Sequence, residues 1–275
     1  MSRSSYAEIT ARLVSAAIVL PILAMAVWVG STWFLFLVVA FASIGAIELC
    51  LMMERRGRRP IKLVAAVWSM SLVVGAYLIA VGLPLKITVF GAAAVIFFTF
   101  VLLIAYRYRT QVGLKDLGLT ALASISTGGL LAYAPMLRDI EQGRDWVFTV
   151  LIVVISVDTF AYVVGRLLGR TSLAPTISPG KTWEGAIGGV LGGLMGVSVA
   201  VSLLGLNLVW TTILSLGLLM AVAAQLGDLL ESAVKRWAAV KDSGRIIPGH
   251  GGVLDRLDSI VLPLVLVYHF TLWLT

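Results

Sequence analysis

The chain has 275 residues, of which 60% are hydrophobic and 13% are charged, and its mean hydropathy is +1.01. Soluble domains are about 45–50% apolar and about 25% charged, so this composition excludes an ordinary soluble domain and indicates a membrane protein. The net charge of +7 fits basic loops that contact anionic lipid headgroups, and we expect membrane lipid and no nucleic acid as a partner.

Apolar runs of about 20 residues, each long enough to span a bilayer, predict about nine transmembrane helices. A helix satisfies its own backbone in lipid, so we predict an all-α polytopic integral membrane protein. The first run is expected to be an uncleaved helix. The predicted spans are Leu13–Gly30, Thr32–Met53, Leu63–Val81, Leu85–Ile104, Leu117–Leu137, Val147–Leu168, Ile187–Leu206, Val209–Leu226 and Leu257–Leu274.

Lys and Arg residues are distributed unevenly among the predicted loops. All but three of the 21 lie on one side, and the exceptions are Lys86, Arg138 and Arg144. Since basic residues concentrate in cytoplasmic loops, this predicts a cytoplasmic N-terminus and an outside C-terminus.

The two halves of the predicted membrane domain differ. Residues 1–137 form plain apolar spans with Glu48 as their main polar anomaly, and we expect them to anchor, pack or line a lipid cavity. Residues 146–275 carry charges within or beside the spans, so chemistry is expected there. The single cysteine, Cys50, excludes an intrachain disulfide.

Asp158 lies in the middle of an apolar span, with Tyr162 and Arg166 one and two turns further along the same helix face. Carboxylates inside membranes usually face a cavity or pathway, which favours a functional role. A structural pair with a neighbouring helix is the alternative.

The stretch SPGKTWEGAIGG resembles a phosphate-binding P-loop only superficially. That motif needs a glycine where this chain has Pro175, and it needs a preceding strand, which we do not predict. We expect a turn at Pro179-Gly180 and an N-cap at Thr182. Lys181 would then lie at a helix N-terminus, where a phosphate could dock; a simple helix-starting loop is the alternative.

The stretch QLGDLLESAVKR places Asp228, Glu231, Ser232 and Lys235 on one stripe of a helix that continues beyond the eighth span. Two carboxylates, a hydroxyl and an ammonium group could together hold a metal ion and a phosphate. An ordinary i,i+4 ion pair between Glu231 and Lys235 is the alternative.

The stretch RIIPGHGGVLDRLDS combines glycines, acids and arginines. Asp255 and Asp258, one turn apart at the start of the last helix, offer oxygen ligands of the kind that Mg²⁺ prefers. Arg245 and Arg256 could bind phosphate oxygens, and His250 could cap the loop. Together with the upstream groups, this pattern favours a phosphoryl- or nucleotidyl-transfer site over a loop that only binds lipid headgroups.

The 27 residues from Ser232 to Asp258, SAVKRWAAVKDSGRIIPGHGGVLDRLD, resemble the signature of the phosphatidate cytidylyltransferases, also called CDP-diacylglycerol synthases. The blocks VDTFAYVVGRLLGR and SPGKTWEG also resemble that family. The resemblance implies a Mg²⁺-dependent reaction of CTP with phosphatidate that gives CDP-diacylglycerol and pyrophosphate. It implies that Asp228 and Asp255 bind the metal.

The other candidate site residues lie in the matched blocks, and the resemblance does not by itself assign their separate roles. We expect Asp258 as a third metal ligand, and Asp228, Asp255, Lys235, His250 and Asp158 as catalytic residues. The expected substrate-binding residues are Lys181, Ser232, Arg236, Arg245 and Arg256. The expected location is the cell membrane with the site facing the cytoplasm, and a homodimer is compatible with the sequence.

The sequence is also compatible with two other functions. A CTP-dependent kinase of a polyprenol-like lipid would use similar groups but would release CDP. An ion-coupled transporter could use Asp158, although the paired broken helices typical of transporters are not visible in the sequence.

Overall fold

The computed structural model is mostly helical and describes residues 17, 19, 21–110, 113–244, 246 and 251–274. The chain divides into two units. The N-terminal unit combines Met1–Asp139 with Ala238–Asp255, and the C-terminal unit combines Ile140–Trp237 with Arg256–Thr275. The signature segment that the sequence singles out is therefore shared between the two units.

Helices dominate the N-terminal unit. A helical stretch at 21–29 precedes the labelled helices, and an exposed turn at residues 55–59 joins the first two of them. The labelled elements are α1 (Ser31–Glu54), α2 (Lys62–Ala80), α3 (Leu85–Thr110), α4 (Leu114–Ser124), a π-helical turn (Ile125–Gly129) and α5 (Tyr133–Asp139).

Small and hydroxyl-bearing residues join α2 to the π-helical turn. Gly128 lies so close to the Ser69 backbone that any side chain at Gly128 would collide with it. The Ser69 and Thr127 hydroxyls are 2.9 Å apart, and Ser124 donates to the Ala65 carbonyl at 3.2 Å. Hydrogen bonds of this kind hold helices together where lipid offers no competing partner.

The C-terminal unit contains long helices and one short hairpin. In chain order the elements are α6 (Gly143–Leu168), β1 (Ser172–Ala174), β2 (Ser178–Thr182), α7 (Trp183–Leu204), α8 (Trp210–Trp237), α9 (Leu254–Leu257) and α10 (Val261–Leu274). The division between the units falls within α9, after Asp255.

Glycines on α7 bring three helices of this unit together. A Cβ at Gly192 would lie 2.5 Å from the Ser156 carbonyl oxygen of α6, and one at Gly193 would lie 2.6 Å from the Gly217 carbonyl oxygen of α8. Small residues at successive turns allow backbones to approach closely, which is how helices commonly associate in membranes.

Six helices in the described part of the chain are long and apolar enough to span a membrane, and two shorter apolar helices accompany them. The protein is therefore a multi-pass membrane protein. The count of nine and the orientation of the termini stay predictions, and the first predicted span begins outside the described residues. The six are Thr32–Glu54, Lys62–Ala80, Leu114–Asp139, Gly143–Leu168, Trp183–Leu204 and Trp210–Trp237.

Two local predictions are wrong. The expected turn at Pro179-Gly180 lies instead within β2, which pairs antiparallel with β1, and the turn occupies residues 175–177. The described part of the chain, predicted to be all-α, therefore contains a β-hairpin. A strand does precede the GKT sequence, so only Pro175 still counts against a P-loop. The last helix begins at Val261, because the chain leaves helical geometry after Leu257.

Replacing Gly192 by alanine should destabilise the C-terminal unit, because the added methyl group would force α6 and α7 apart at the Ser156 carbonyl. Overpacking of this kind costs about 1–3 kcal/mol. The midpoint of thermal unfolding in detergent should fall for Gly192→Ala. Gly75→Ala is the matched control, since a Cβ on this helical glycine would meet no other described part of the chain within 4 Å, its own turn of helix aside. Equal midpoints for the two variants would contradict the close packing.

Candidate active site

Charged side chains from four elements of the C-terminal unit form one group. Asp158 on α6 lies within electrostatic range of Asp228, Asp258 and Lys181, and Glu231 interacts with Asp258 and Lys235. We call this group the charged cluster. Its members are Asp158, Lys181, Asp228, Glu231, Lys235 and Asp258.

The β-hairpin sets the position of Lys181. Thr182 caps α7 as predicted, and its hydroxyl accepts a hydrogen bond from the Gly185 N–H at 3.1 Å. On the opposite side, Arg236 Nε donates to the Ile177 carbonyl at 3.0 Å and ties the hairpin to α8. Lys181 Nζ consequently lies 2.5 Å from Asp228 Oδ2 as an ion pair.

The predicted stripe on α8 is confirmed as part of one continuous helix. The Ser232 hydroxyl lies 3.4 Å from Asp228 Oδ1, and Lys235 Nζ lies 3.0 Å from Glu231 Oε2. The i,i+4 pair named as the simpler alternative therefore exists, but its side chains are only 13% and 11% exposed. This pair is mostly withdrawn from water, unlike an ordinary surface pair.

Asp258 adds a further negative group, from the turn that precedes α10. Its Oδ1 accepts a hydrogen bond from the Ser259 N–H at 2.8 Å. Burial raises the pKa of the Asp258 carboxyl, and the negative charge of Asp228 acts in the same direction. Glu231 Oε1 is buried, and among the described residues no N–H or ammonium group donates to it, while the Glu231 carboxyl interacts with that of Asp258. Two neighbouring carboxyl groups need a shared proton or a nearby cation.

The charged cluster suits a divalent cation in its composition and charge. Its four carboxylates outnumber its two ammonium groups, and carboxylate oxygens are the ligands that Mg²⁺ prefers. Among the described residues, no three Asp, Glu, His or Cys side chains are already arranged as a metal-binding set. Lys181 pairs with one oxygen of Asp228, whereas no N–H or ammonium group in the described part of the chain donates to Glu231 Oε1.

The side chain of Asp158 is exposed at the protein surface, although it lies within a helix long and apolar enough to span a membrane. The two residues predicted to share its face pair with each other, since Arg166 Nη1 donates to the Tyr162 hydroxyl at 2.6 Å. The charged neighbours of Asp158 lie in the cluster, so its surroundings resemble a site more than an isolated structural ion pair.

Asp255 belongs to the N-terminal unit, where hydrogen bonds hold its carboxylate. Its Oδ2 accepts bonds from the Ser243 N–H, the Ser243 hydroxyl and the Gly252 N–H, each at 2.9 Å. This carboxylate is 9% exposed. Its predicted metal binding together with Asp228 stays a prediction, and so does that of Asp258.

The remaining predicted residues are less constrained. Arg236 and Arg256 are both exposed, and Arg236 contacts the hairpin as described above. Arg245 and His250 lie outside the described residues, so their predicted roles stay predictions.

An open cavity of about 830 Å³ lies in the N-terminal unit, between the end of α1 and residues 239–244. Arg55, Glu54, Lys241 and Asp242 contribute charged side chains to its lining. Small-molecule sites commonly have volumes of about 300–1,000 Å³, so the cavity has the size of a ligand site.

Glu48 is a polar residue for which the sequence predicted no role. It lies on α1, is only 1% exposed, and accepts hydrogen bonds from the backbone of the signature segment. The signal was available, because a lone carboxylate in an apolar span is the same anomaly that singled out Asp158. Its partners, about 200 residues away in the sequence, were not predictable from local pattern.

Comparisons with known proteins agree with these observations. Residues 10–274 match the model of the cytidylyltransferase family. A Bacillus subtilis protein named phosphatidate cytidylyltransferase is 38% identical over 174 residues, which cover 62% of this chain and 65% of that protein. A Mycobacterium bovis protein of the same name is 40% identical over 148 residues, covering 54% and 48% of the two chains.

A third relative with that name, from Brucella abortus, is 49% identical over 118 residues, covering 43% of each chain. The matched part of the chain thus spans less than two thirds of the length of each of these relatives. The family model, in contrast, matches nearly the whole chain. The protein belongs to the cytidylyltransferase family.

Proposed function

We propose that this protein transfers a cytidylyl group from CTP to phosphatidate, giving CDP-diacylglycerol and pyrophosphate in phospholipid biosynthesis. The observation that carries the proposal is the charged cluster, which gathers acids and lysines in one unit of a chain from the cytidylyltransferase family. The relatives named phosphatidate cytidylyltransferase support the same choice of substrates.

The lysines of the cluster would bind phosphate groups. Lys181 is only 26% exposed and is paired with Asp228, so its ammonium group is held in place before a ligand arrives. Lys235 is held in the same way by Glu231. Cations fixed in advance stabilise the charge that develops on a reacting phosphate without having to reorganise.

The reaction requires positioning more than acid–base chemistry. A phosphate oxygen of phosphatidate would attack the α-phosphorus of CTP, and pyrophosphate would leave. The attacking oxygen is already anionic at neutral pH, so no side chain need remove a proton. The lysines would orient the two phosphate-bearing substrates for this displacement.

Mg²⁺ is the metal that the proposal requires. Asp228 and Asp258 are the carboxylates of the cluster that would hold it, and Asp255 stays the further ligand that the sequence predicts. When bound, a divalent ion neutralises phosphate charge and orients the displacement. Lys181 would then pair with phosphate as well as with Asp228.

Purified protein incubated with CTP, Mg²⁺ and phosphatidate should release pyrophosphate and form a CDP-lipid in equal amounts. Omitting either substrate provides the control. Release of CDP together with a newly phosphorylated lipid alcohol would indicate a CTP-dependent lipid kinase instead. Absence of any nucleotide turnover in folded protein would contradict the proposed function.

Replacing Asp228 by asparagine should lower kcat about 100-fold or more while the protein still folds, because the change removes one negative charge and keeps the shape. Lys181→Ala should also lower activity. If the pair works as a unit, the double variant should be little worse than the poorer single variant. Steady-state kinetics on folded protein measures all three.

Asp145→Asn is the matched control, since Asp145 forms an ion pair with Arg144 in the same unit but lies outside the charged cluster. Its activity should stay within about twofold of the unmodified protein, as expected for a change away from the reacting groups. Losses for Asp228→Asn and Lys181→Ala that multiply in the double variant would argue that the two residues act separately.

The basic loops suggest that the charged cluster faces the cytoplasm of a bacterial cell membrane. An Asp242→Cys variant should resist membrane-impermeant maleimide in intact cells and react after the cells are opened. Asp242 is exposed, so its reactivity depends on the side of the membrane. Glu141→Cys, exposed in a loop predicted outside, should react in intact cells. The reverse pattern would overturn the orientation.

A further inference from the structure

Glu48 is buried within α1, a helix that is otherwise almost entirely apolar. A buried carboxylate is tolerated only where hydrogen-bond donors replace the water that it has lost. Among the residues that the structure describes, the hydrogen-bond donors to Glu48 are Ser243, Val253 and Leu254 of the signature segment, in the same unit of the protein.

Both oxygens of Glu48 act as acceptors. Oε1 accepts from the Val253 N–H at 3.1 Å, and Oε2 accepts from the Leu254 N–H at 3.0 Å. The Ser243 hydroxyl lies 3.2 Å from the same Oε2. One side chain therefore contacts the segment at two places that are ten or more residues apart.

Asp255, which belongs to the signature segment itself, also binds near both positions, because it accepts three hydrogen bonds from Ser243 and Gly252. The Ser243 hydroxyl lies 2.9 Å from Asp255 Oδ2, so it stands between the two carboxylates. A hydroxyl has one proton to donate, and the two acceptors share it. Glu48, Ser243 and Asp255 thus form one network that joins Ser243 to the backbone of residues 252–254.

Two glycines of the segment make room for Glu48. A Cβ at Gly244 would collide with Glu48 Oε1, and a Cβ at Gly252 would lie 2.5 Å from both Glu48 oxygens. Gly252 is also too close to the Ser243 hydroxyl to carry a side chain. Part of the glycine content of the signature therefore reflects the space that this carboxylate needs.

We propose that Glu48 is a positioning residue, which holds Ser243 and the Val253–Leu254 backbone by accepting their hydrogen bonds and thereby sets the place of Asp255. The consequence for catalysis rests on the proposed function, whereas the anchoring itself does not. Ser243 and Gly244 also line the 830 Å³ cavity, so Glu48 holds one of its walls.

Glutamine cannot replace Glu48 in this role. It has nearly the same shape, but one carboxylate oxygen becomes an NH₂ group, which donates and does not accept. In either orientation, that NH₂ group would face the N–H of Val253 or Leu254. Aspartate keeps two acceptor oxygens but is one methylene shorter, so it should restore part of the effect.

Hydrogen exchange measured by mass spectrometry tests the anchoring directly. In Glu48→Gln, amides of peptides that cover residues 251–257 should exchange at least tenfold faster than in the unmodified protein, with a smaller change in Glu48→Asp. Ser69→Ala is the matched control, because Ser69 is a buried hydrogen-bonding residue of the same unit with no contact described to the segment. Unchanged exchange in Glu48→Gln would overturn the proposal.

Activity separates positioning from a general loss of stability. Removing groups that orient active-site residues typically costs about 10–100-fold. We therefore expect kcat per folded molecule to fall by that factor in Glu48→Gln. Ser69→Ala should have the kcat of the unmodified protein, even if its unfolding midpoint falls as much as that of Glu48→Gln. Equal kcat values for the two variants would overturn the positioning role.

Two further outcomes are distinguishable. If Glu48→Gln does not fold, Ser243→Ala removes the shared hydroxyl from the opposite side and should speed exchange in the same peptides. No change there would count against the network. If the unmodified protein has no cytidylyltransferase activity, the proposed function fails, while the exchange measurement still decides whether Glu48 anchors the segment.

Discussion

Carboxylates on apolar helices impose the constraint on which much of this structure depends. Each must find donors or cations inside the protein, because lipid supplies neither. Glu48 uses backbone N–H groups, Asp228 uses Lys181, and Glu231 uses Lys235. The hairpin, the stripe on α8 and the signature segment are the elements that bring these partners to the carboxylates.

In the C-terminal unit, the helices must also pack closely although two of them carry members of the charged cluster. Glycines on α7 allow α6 and α8 to approach it, so the elements that carry Asp158 and Asp228 are joined through backbone contacts. Close helix packing gives the charged cluster a rigid support. A site that orients two phosphate-bearing substrates benefits from such rigidity, since small displacements weaken positioning strongly.

Much of this organisation is visible in the sequence because it depends on local pattern. The apolar runs, the cap at Thr182 and the stripe through Asp228 and Lys235 follow from residue spacing alone. The hairpin was missed because strands of three and five residues leave little periodicity. Pro179 also suggested a turn where the chain is extended. The network of Glu48 was missed because its partners are distant in sequence.

The distance between Glu48 and its donors has a consequence for biosynthesis. Val253 follows Glu48 by 205 residues, and ribosomes add about 5–20 residues per second. The carboxylate must therefore wait for roughly 10–40 seconds after its own synthesis before its partners exist. During that interval α1 carries an acidic group without its final donors. Until the last part of the N-terminal unit is made, water or the insertion machinery must supply the hydrogen bonds that this carboxylate needs.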